Sequence, residues 1–376
     1  MAAGRPPGEA RTERDDGGCA MTYPPQGPPG PVPEGPWNPQ PPQQYRPAPP
    51  PRRRNGWKWA LGGVALIGVI AVTAAVAISM RSDRGDTSAP HETYDLASPD
   101  DTGPVEIITE DPSCDAWVPV ANTFAGIQKK GWTERDSSVP ATRWTPEQRA
   151  QYEEVRKAAL TAADQTVALV RLTPHRVMRE FYEQFIAYSR AYSDAIPNYK
   201  PEDERLARVM TSTSSVLVYV CDAINARSAA ARAPLVPPLP KPATTTPLSA
   251  PATPTRFMLE PDPICPGWKE LLEQFDEDTE AWQSLDSNIP ASRWTSDQQH
   301  VIDSTIPLFN EFADRALEMA GQTTNPVLAD FITFSAQYRR AYAAALPTYS
   351  SADSYLARVG TTAASTVYSA CKAPRG

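Results

Sequence analysis

One stretch of this chain occurs twice. Residues 139–148 read VPATRWTPEQ and residues 289–298 read IPASRWTSDQ, six of ten identical at an offset of 150. The offset persists downstream. Arg190, Ala191 and Tyr192 return as Arg340, Ala341 and Tyr342, Pro197 and Tyr199 as Pro347 and Tyr349, and LARV at 206–209 as LARV at 356–359. Each copy opens on Asp-Pro-x-Cys followed by a tryptophan (Cys114 and Trp117, Cys265 and Trp268) and closes on a cysteine, Cys221 or Cys371. Two copies are too few for a solenoid. The chain therefore carries a tandem pair of units, residues 111–227 and 261–376.

Within a copy the apolar spacing is helical throughout. Met178, Phe181, Phe185, Tyr188 and Tyr192 lie three and four apart, as do Leu206, Met210, Thr213, Leu217, Val220 and Ile224. Trp117, Val120, Phe124 and Ile127 mark the first helix, with Pro119 expected to delay its start. Thr145-Pro146-Glu147-Gln148 is a capping box with proline at the first helical position, and Thr295-Ser296-Asp297-Gln298 is its counterpart. Thr173-Pro174 and Asn325-Pro326 announce a third helix. No stretch alternates convincingly with period two. Four apolar stripes with short connections predict an all-α fold of two tandem antiparallel four-helix bundles.

The cysteines fit that topology. In an up-down-up-down bundle the start of helix one and the end of helix four share an end, where Cys114 and Cys221, and Cys265 and Cys371, would stand. Four cysteines allow three pairings. The duplication favours pairing within each copy, with free buried thiols as the alternative.

Upstream, residues 59–80 run WALGGVALIGVIAVTAAVAISM without a charge, between Lys58 and Arg81. As a helix this spans roughly 33 Å at about 1.5 Å per residue, enough for a bilayer core. Arg52, Arg53, Arg54 and Lys58 crowd its N-terminal side, so the N-terminus is expected in the cytoplasm and residues 81–376 outside. That compartment permits disulfides. A cleaved signal peptide is the alternative, but 58 residues precede the run. Of the 42 prolines, 14 fall within the 28 residues 24–51. Residues 1–58 are therefore expected to be a disordered tail, serving as a spacer or a strip for a proline-reading partner. Residues 1–20 differ in style from the MTYPPQGPPG that follows, which suggests translation from Met21 and removes Cys19.

The MTYPPQGPPG-type tail, the Arg-Arg-Arg stop before the helix and the outward domain resemble those of uncharacterised proline-rich, single-pass membrane proteins of actinobacteria, mycobacteria especially. The likeness covers architecture and roughly the first 80 residues. It implies a location and a lineage, and brings no catalytic motif. Two linkers complete the layout. Residues 81–110 are polar, and residues 228–260 are rich in proline, threonine and alanine. The latter read as a semi-rigid spacer between the copies.

Chemistry is sparse. The chain has three histidines and no P-loop, GxGxxG, GxSxG, HExxH or CxxC, and its net charge of −8 argues against nucleic acid. No catalytic, metal or cofactor site is expected, and the reading is non-enzymatic. The polar and aromatic residues shared by both copies are the candidate binding residues: Arg143 and Trp144, Tyr188, Arg190 and Tyr192, with Arg293 and Trp294, Tyr338, Arg340 and Tyr342 as counterparts. They form either a surface that grips a partner or the caps of the bundle ends. Residues 111–227 carry 15 basic and 15 acidic side chains, and residues 261–376 carry 8 and 15. Matching frameworks with different charge suggest different contacts. The expected role is an anchored cell-envelope protein displaying two disulfide-closed modules for protein or envelope-component binding. A carrier or sensor with a lipid or small ligand between its helices is the alternative.

Overall fold

Threonine sets where two of the long helices begin. Thr145 and Thr295 each accept the backbone N–H of a glutamine three residues on (Gln148 and Gln298, both 3.2 Å), and each glutamine side chain returns the bond. In the computed structural model, which describes residues 94–373, the first repeat comprises α1 (Cys114–Gln128), α2 (Pro146–Val170), α3 (Arg176–Ala195) and α4 (Glu204–Asn225). A short α5 (Ser228–Arg232) follows. The second repeat comprises α6 (Cys265–Asp278), the one-turn α7 (Glu280–Gln283), α8 (Ser296–Ala320), α9 (Pro326–Ala345) and α10 (Ser354–Cys371). The tail, the apolar run 59–80, the question of Met21 and residues 81–93 of the first linker lie outside the described residues. No helix among the described residues is long and apolar enough to cross a membrane.

In repeat one α1 packs on α2 and α4, α2 on α3, and α3 on α4; repeat two has the same neighbours. Each is an antiparallel four-helix bundle, as the spacing predicts. Trp117 fills the first core, edge-on to Tyr182 and Phe185 at 5.5 and 5.2 Å. Trp268 fills the second and donates to the Ala364 carbonyl at 3.2 Å. Disulfides join Cys114 to Cys221 and Cys265 to Cys371, closing each bundle at one end. One helix start differs from expectation: α1 begins at Cys114 and carries Pro119 inside it. Asp111 explains this, because its carbonyl takes the Cys114 N–H and its carboxylate the Ser113 N–H. The turn is nucleated five residues before the proline.

The bundles are not held apart by a spacer. α4 packs along α10, and α3 touches α9, so each element meets its own counterpart. Phe181 and Phe331, 150 positions apart, stack at 3.9 Å with their planes 1° from parallel. A residue against its own equivalent marks an approximate two-fold relation between the repeats. Thr366 donates to the Ser212 hydroxyl across the same face at 2.9 Å.

Both linkers pack on the bundles as arms, the first within residues 94–110 and the second within residues 252–260, and each crosses to the other repeat. Residues 105–108, which precede repeat one, lie on α9 of repeat two. There Tyr338 Oη accepts the Ile108 N–H (3.2 Å), and Gln337 Nε2 donates to the Val105 carbonyl (3.4 Å). Residues 252–258, which precede repeat two, lie on α3 of repeat one. There Gln184 bridges the Thr255 carbonyl and the Phe257 N–H, and Tyr188 Oη donates to the Met258 carbonyl. The cause is apolar content in stretches that read as polar: Val105, Ile107, Ile108 and Met258 are buried. At about 25 cal/mol per Å² such side chains do not stay in water when a face is available. Replacing Tyr338 by phenylalanine should leave the buried Ile108 N–H unpaired. We expect a loss of about 1–3 kcal/mol, with faster amide exchange at 105–109 and little change at α1.

Candidate functional site

The aromatic candidate residues divide between two structural tasks. Trp144 and Trp294 stack on Tyr199 and Tyr349 at 5.4 and 5.7 Å and donate their indole N–H to the Val139 and Ile289 carbonyls. Tyr199 and Tyr349 in turn donate to the Ser137 and Ser287 carbonyls. These are bundle caps built the same way twice. Tyr192 and Tyr342 are buried beneath them against Trp132 and Trp282, and Trp282 donates to the Tyr342 hydroxyl. Burial pushes both phenols far up, out of any physiological titration.

Tyr188 and Tyr338 are the arm anchors described above, with no exposed surface. Arg190 holds Asp164 (3.1 Å) and the Ala252 carbonyl (2.5 Å), while Arg340 holds Asp314 (2.5 Å). Only Arg143 and Arg293 among the ten stand fully outward. The expected aromatic and cationic surface is therefore not assembled, because its rings are consumed in closing the bundles and clasping the arms.

The two caps differ in what fills them. In repeat one the Arg135 guanidinium lies 3.4 Å over Trp132 and pairs with Glu204. Leu285, Ile302 and Ser354 stand where repeat one has Arg135, Tyr152 and Glu204, and a cleft of about 30 Å³ lies between Trp282, Trp294, Tyr342 and Tyr349. That is room for a water or two. A second cleft between α6 and α8 is equally small.

Charge is concentrated where the repeats meet. Arg176, 2% exposed, reaches Asp330 through Nε (2.8 Å) and Nη2 (3.3 Å), and through Nη1 the Asp101 and Gly103 carbonyls. Glu180 is fully buried and takes the Thr246 hydroxyl at 2.6 Å. Burial, and after it the Asp330 carboxylate, holds Glu180 well above the usual carboxylate range. Spacing and shared residues did not reveal this cluster, because Pro326 stands at the counterpart of Arg176. The signal that could have found it is the acidic pair Glu180 and Asp330, at the shared offset beside Phe181 and Phe331.

Glu183 adds a titration. Burial lifts its carboxyl to about 7, against the pull of Arg179 at 3.7 Å. Its folded value lies above the ordinary value of about 4.3. The group thus adds stability that is complete below about pH 4 and is lost as pH rises through about 7. The thermal midpoint should fall between about pH 4 and 7 and level off above that, and Glu183→Gln should flatten the fall. Equal slopes in wild type and variant would contradict the assignment.

A larger opening, about 460 Å³, lies between the first arm and the start of α3, lined by Asp101, residues 103–109 and residues 174–177. His175 stands at its edge with Nε2 2.9 Å from the Glu110 carbonyl oxygen.

Comparison with known proteins agrees with this architecture in extent. Residues 96–376, nearly the whole described region, match the family described as mycobacterial ESX-1 associated protein. The chain is also 44% identical over 331 residues to an uncharacterised protein of Mycolicibacterium smegmatis (strain MKD8), covering 86% of this chain and 88% of that one. No solved structure matches. The chain belongs to the mycobacterial ESX-1 associated protein family.

Proposed function

We propose that the protein is a non-enzymatic, membrane-anchored component that presents one paired helical body outside the membrane for protein binding in an ESX-1 secretion context. Residues 59–80 are the anchor, the proline-rich tail lies in the cytoplasm, and residues 94–373 are the displayed body. The family description supports the secretion context. The observation that carries the binding role is a division of labour. The aromatic residues common to both repeats are spent on caps and arms and the cysteines on disulfides, whereas the charge differs, with repeat two at a net −7 and repeat one neutral. A body with one framework and two dissimilar surfaces suits a bridge between partners better than a reaction centre, and the acidic surface suits a basic partner.

Crosslinking of the full chain in native membranes tests this. Defined protein adducts that map to the outward faces of residues 94–373 are expected. Adducts confined to the tail, or purified protein that turns over an envelope substrate, would contradict the reading. The small-ligand carrier keeps one observation in its favour, the opening of about 460 Å³ beside the first arm, which lies within the range for small-molecule sites. The interhelical clefts of about 30 Å³ do not support a lipid chain between the helices. A small molecule that co-purifies and is lost on blocking residues 103–109 would favour the carrier.

A further inference from the structure

Repeat two contains an arginine socket that is filled from within the chain. The α5 turn, SAAAR at Ser228–Arg232, leaves the end of repeat one and packs beside α9 of repeat two. Its last residue, Arg232, places Nε and Nη2 on the two Asp353 carboxylate oxygens, both at 2.9 Å. Nη1 donates to the Thr348 hydroxyl (2.8 Å) and Nη2 to the Thr348 carbonyl (3.1 Å). Four bonds from one planar guanidinium to a fixed acid and turn form a built site. Asp353 is 1% exposed, and Ala341 and Ala345 on α9 are fully buried.

Repeat one has the same corner without an occupant among the described residues. Asn198 and Asp203 stand at the positions of Thr348 and Asp353. The turn repeats in its backbone angles: Tyr199 at φ −47°, ψ 133° against Tyr349 at −55°, 134°, and Lys200 at −120°, 156° against Ser350 at −118°, 160°. One Asp203 oxygen takes the Lys200 N–H, as one Asp353 oxygen takes the Ser350 N–H. Both Asp353 oxygens hold Arg232, whereas among the described residues no arginine pairs with Asp203. Partial burial raises the Asp203 carboxyl, with Glu202 adding to the rise and the Lys200 contacts opposing it. The alanines at the matching positions, Ala191 and Ala195, are only partly covered.

We propose that the corner formed by Ala191, Ala195, Asn198 and Asp203 docks a helical turn of small residues ending in arginine, supplied by a partner protein. The occupant is specified by the chain's own filled copy: a guanidinium for Asp203 and the 198 turn, with small side chains three and four positions before it, as at the buried Ala229 and Ser228. This rests on the protein-binding reading above and locates one of its contacts.

The test is binding of a labelled peptide of residues 226–236 (ARSAAARAPLV) to the full chain in detergent, followed by fluorescence anisotropy. The second-repeat socket is closed to the peptide because its tethered Arg232 acts at an effective concentration in the millimolar range. Saturable binding is expected, weakened about tenfold or more by Arg232→Ala in the peptide or by Asp203→Asn in the chain. Asn198→Ala should weaken it less, and a chain with Thr211→Ala, away from the corner, should bind as wild type. Absence of binding, or equal binding to the Asp203→Asn chain, overturns the proposal. Binding that appears only after Arg375→Ala assigns the corner to the chain's own end, and self-association abolished by Asp203→Asn assigns it to a second copy; either result also overturns it. Membrane crosslinks that persist in Asp203→Asn remove this site and leave the binding reading standing, whereas absence of any crosslinked partner removes that reading.

Discussion

Replacing Arg176 by alanine should cost about 3–5 kcal/mol of stability, the range for removing one member of a buried ion pair. The guanidinium is 2% exposed and its partner Asp330 3% exposed. Its removal leaves Asp330 beside Glu180 with no cation bonded to it, and frees the Asp101 and Gly103 carbonyls of the first arm. Urea denaturation should show a lower midpoint and the loss of a single shared transition, since the residue joins the two repeats. Asp330→Asn should cost less, because it removes a charge that opposes Glu180. An apolar pair of similar volume at 176 and 330 should recover part of the loss, as buried ion pairs often allow. A midpoint unchanged in Arg176→Ala would mean that this pair does not hold the repeats together.

Loss of either disulfide should be comparably severe. Each closes a loop of just over a hundred residues, with separations of 107 and 106. The chain-entropy model gives about 4–5 kcal/mol for such a loop. Serine at both Cys114 and Cys221 should lower the thermal midpoint strongly, and the equivalent change at Cys265 and Cys371 should match it, because the bridges occupy the same place in each bundle. Reductant should reproduce both effects in wild type and have no further effect on a chain lacking all four. Peptide mapping that joins Cys114 to Cys265 or Cys371 would contradict the topology itself.

Local structure was legible in the sequence, and association was not. The capping boxes at Thr145 and Thr295, the helical spacing of Met178 through Tyr192 and the paired cysteines all act over short range or recur in both copies, so comparing the copies exposes them. The arms and the charged interface do neither. Arg176 and Asp330 are 154 positions apart, and arginine at 176 has proline as its counterpart. A search for shared residues passes over such a pair. It found Tyr188 and Tyr338 and left open whether they faced a partner or the fold; the fold uses them to clasp the arms. The linkers misled through composition. Proline and threonine around 237–255 read as a spacer, yet Phe257 and Met258 at its end carry enough apolar surface to draw the segment onto α3. Arg339, buried over Phe275 and Phe312, was equally hidden. Its space is opened by Gly360, where an added Cβ would sit 3.0 Å from the Arg339 side chain, while repeat one has Met210 and Ser189 in the corresponding places.

The two repeats form one body through exchanged arms. Small-angle X-ray scattering on residues 94–376 measures this directly. A single body of this length should give a radius of gyration of about 19 Å and a distance distribution with one maximum. A radius above about 25 Å with two maxima, the signature of two bundles on an extended linker, would contradict it.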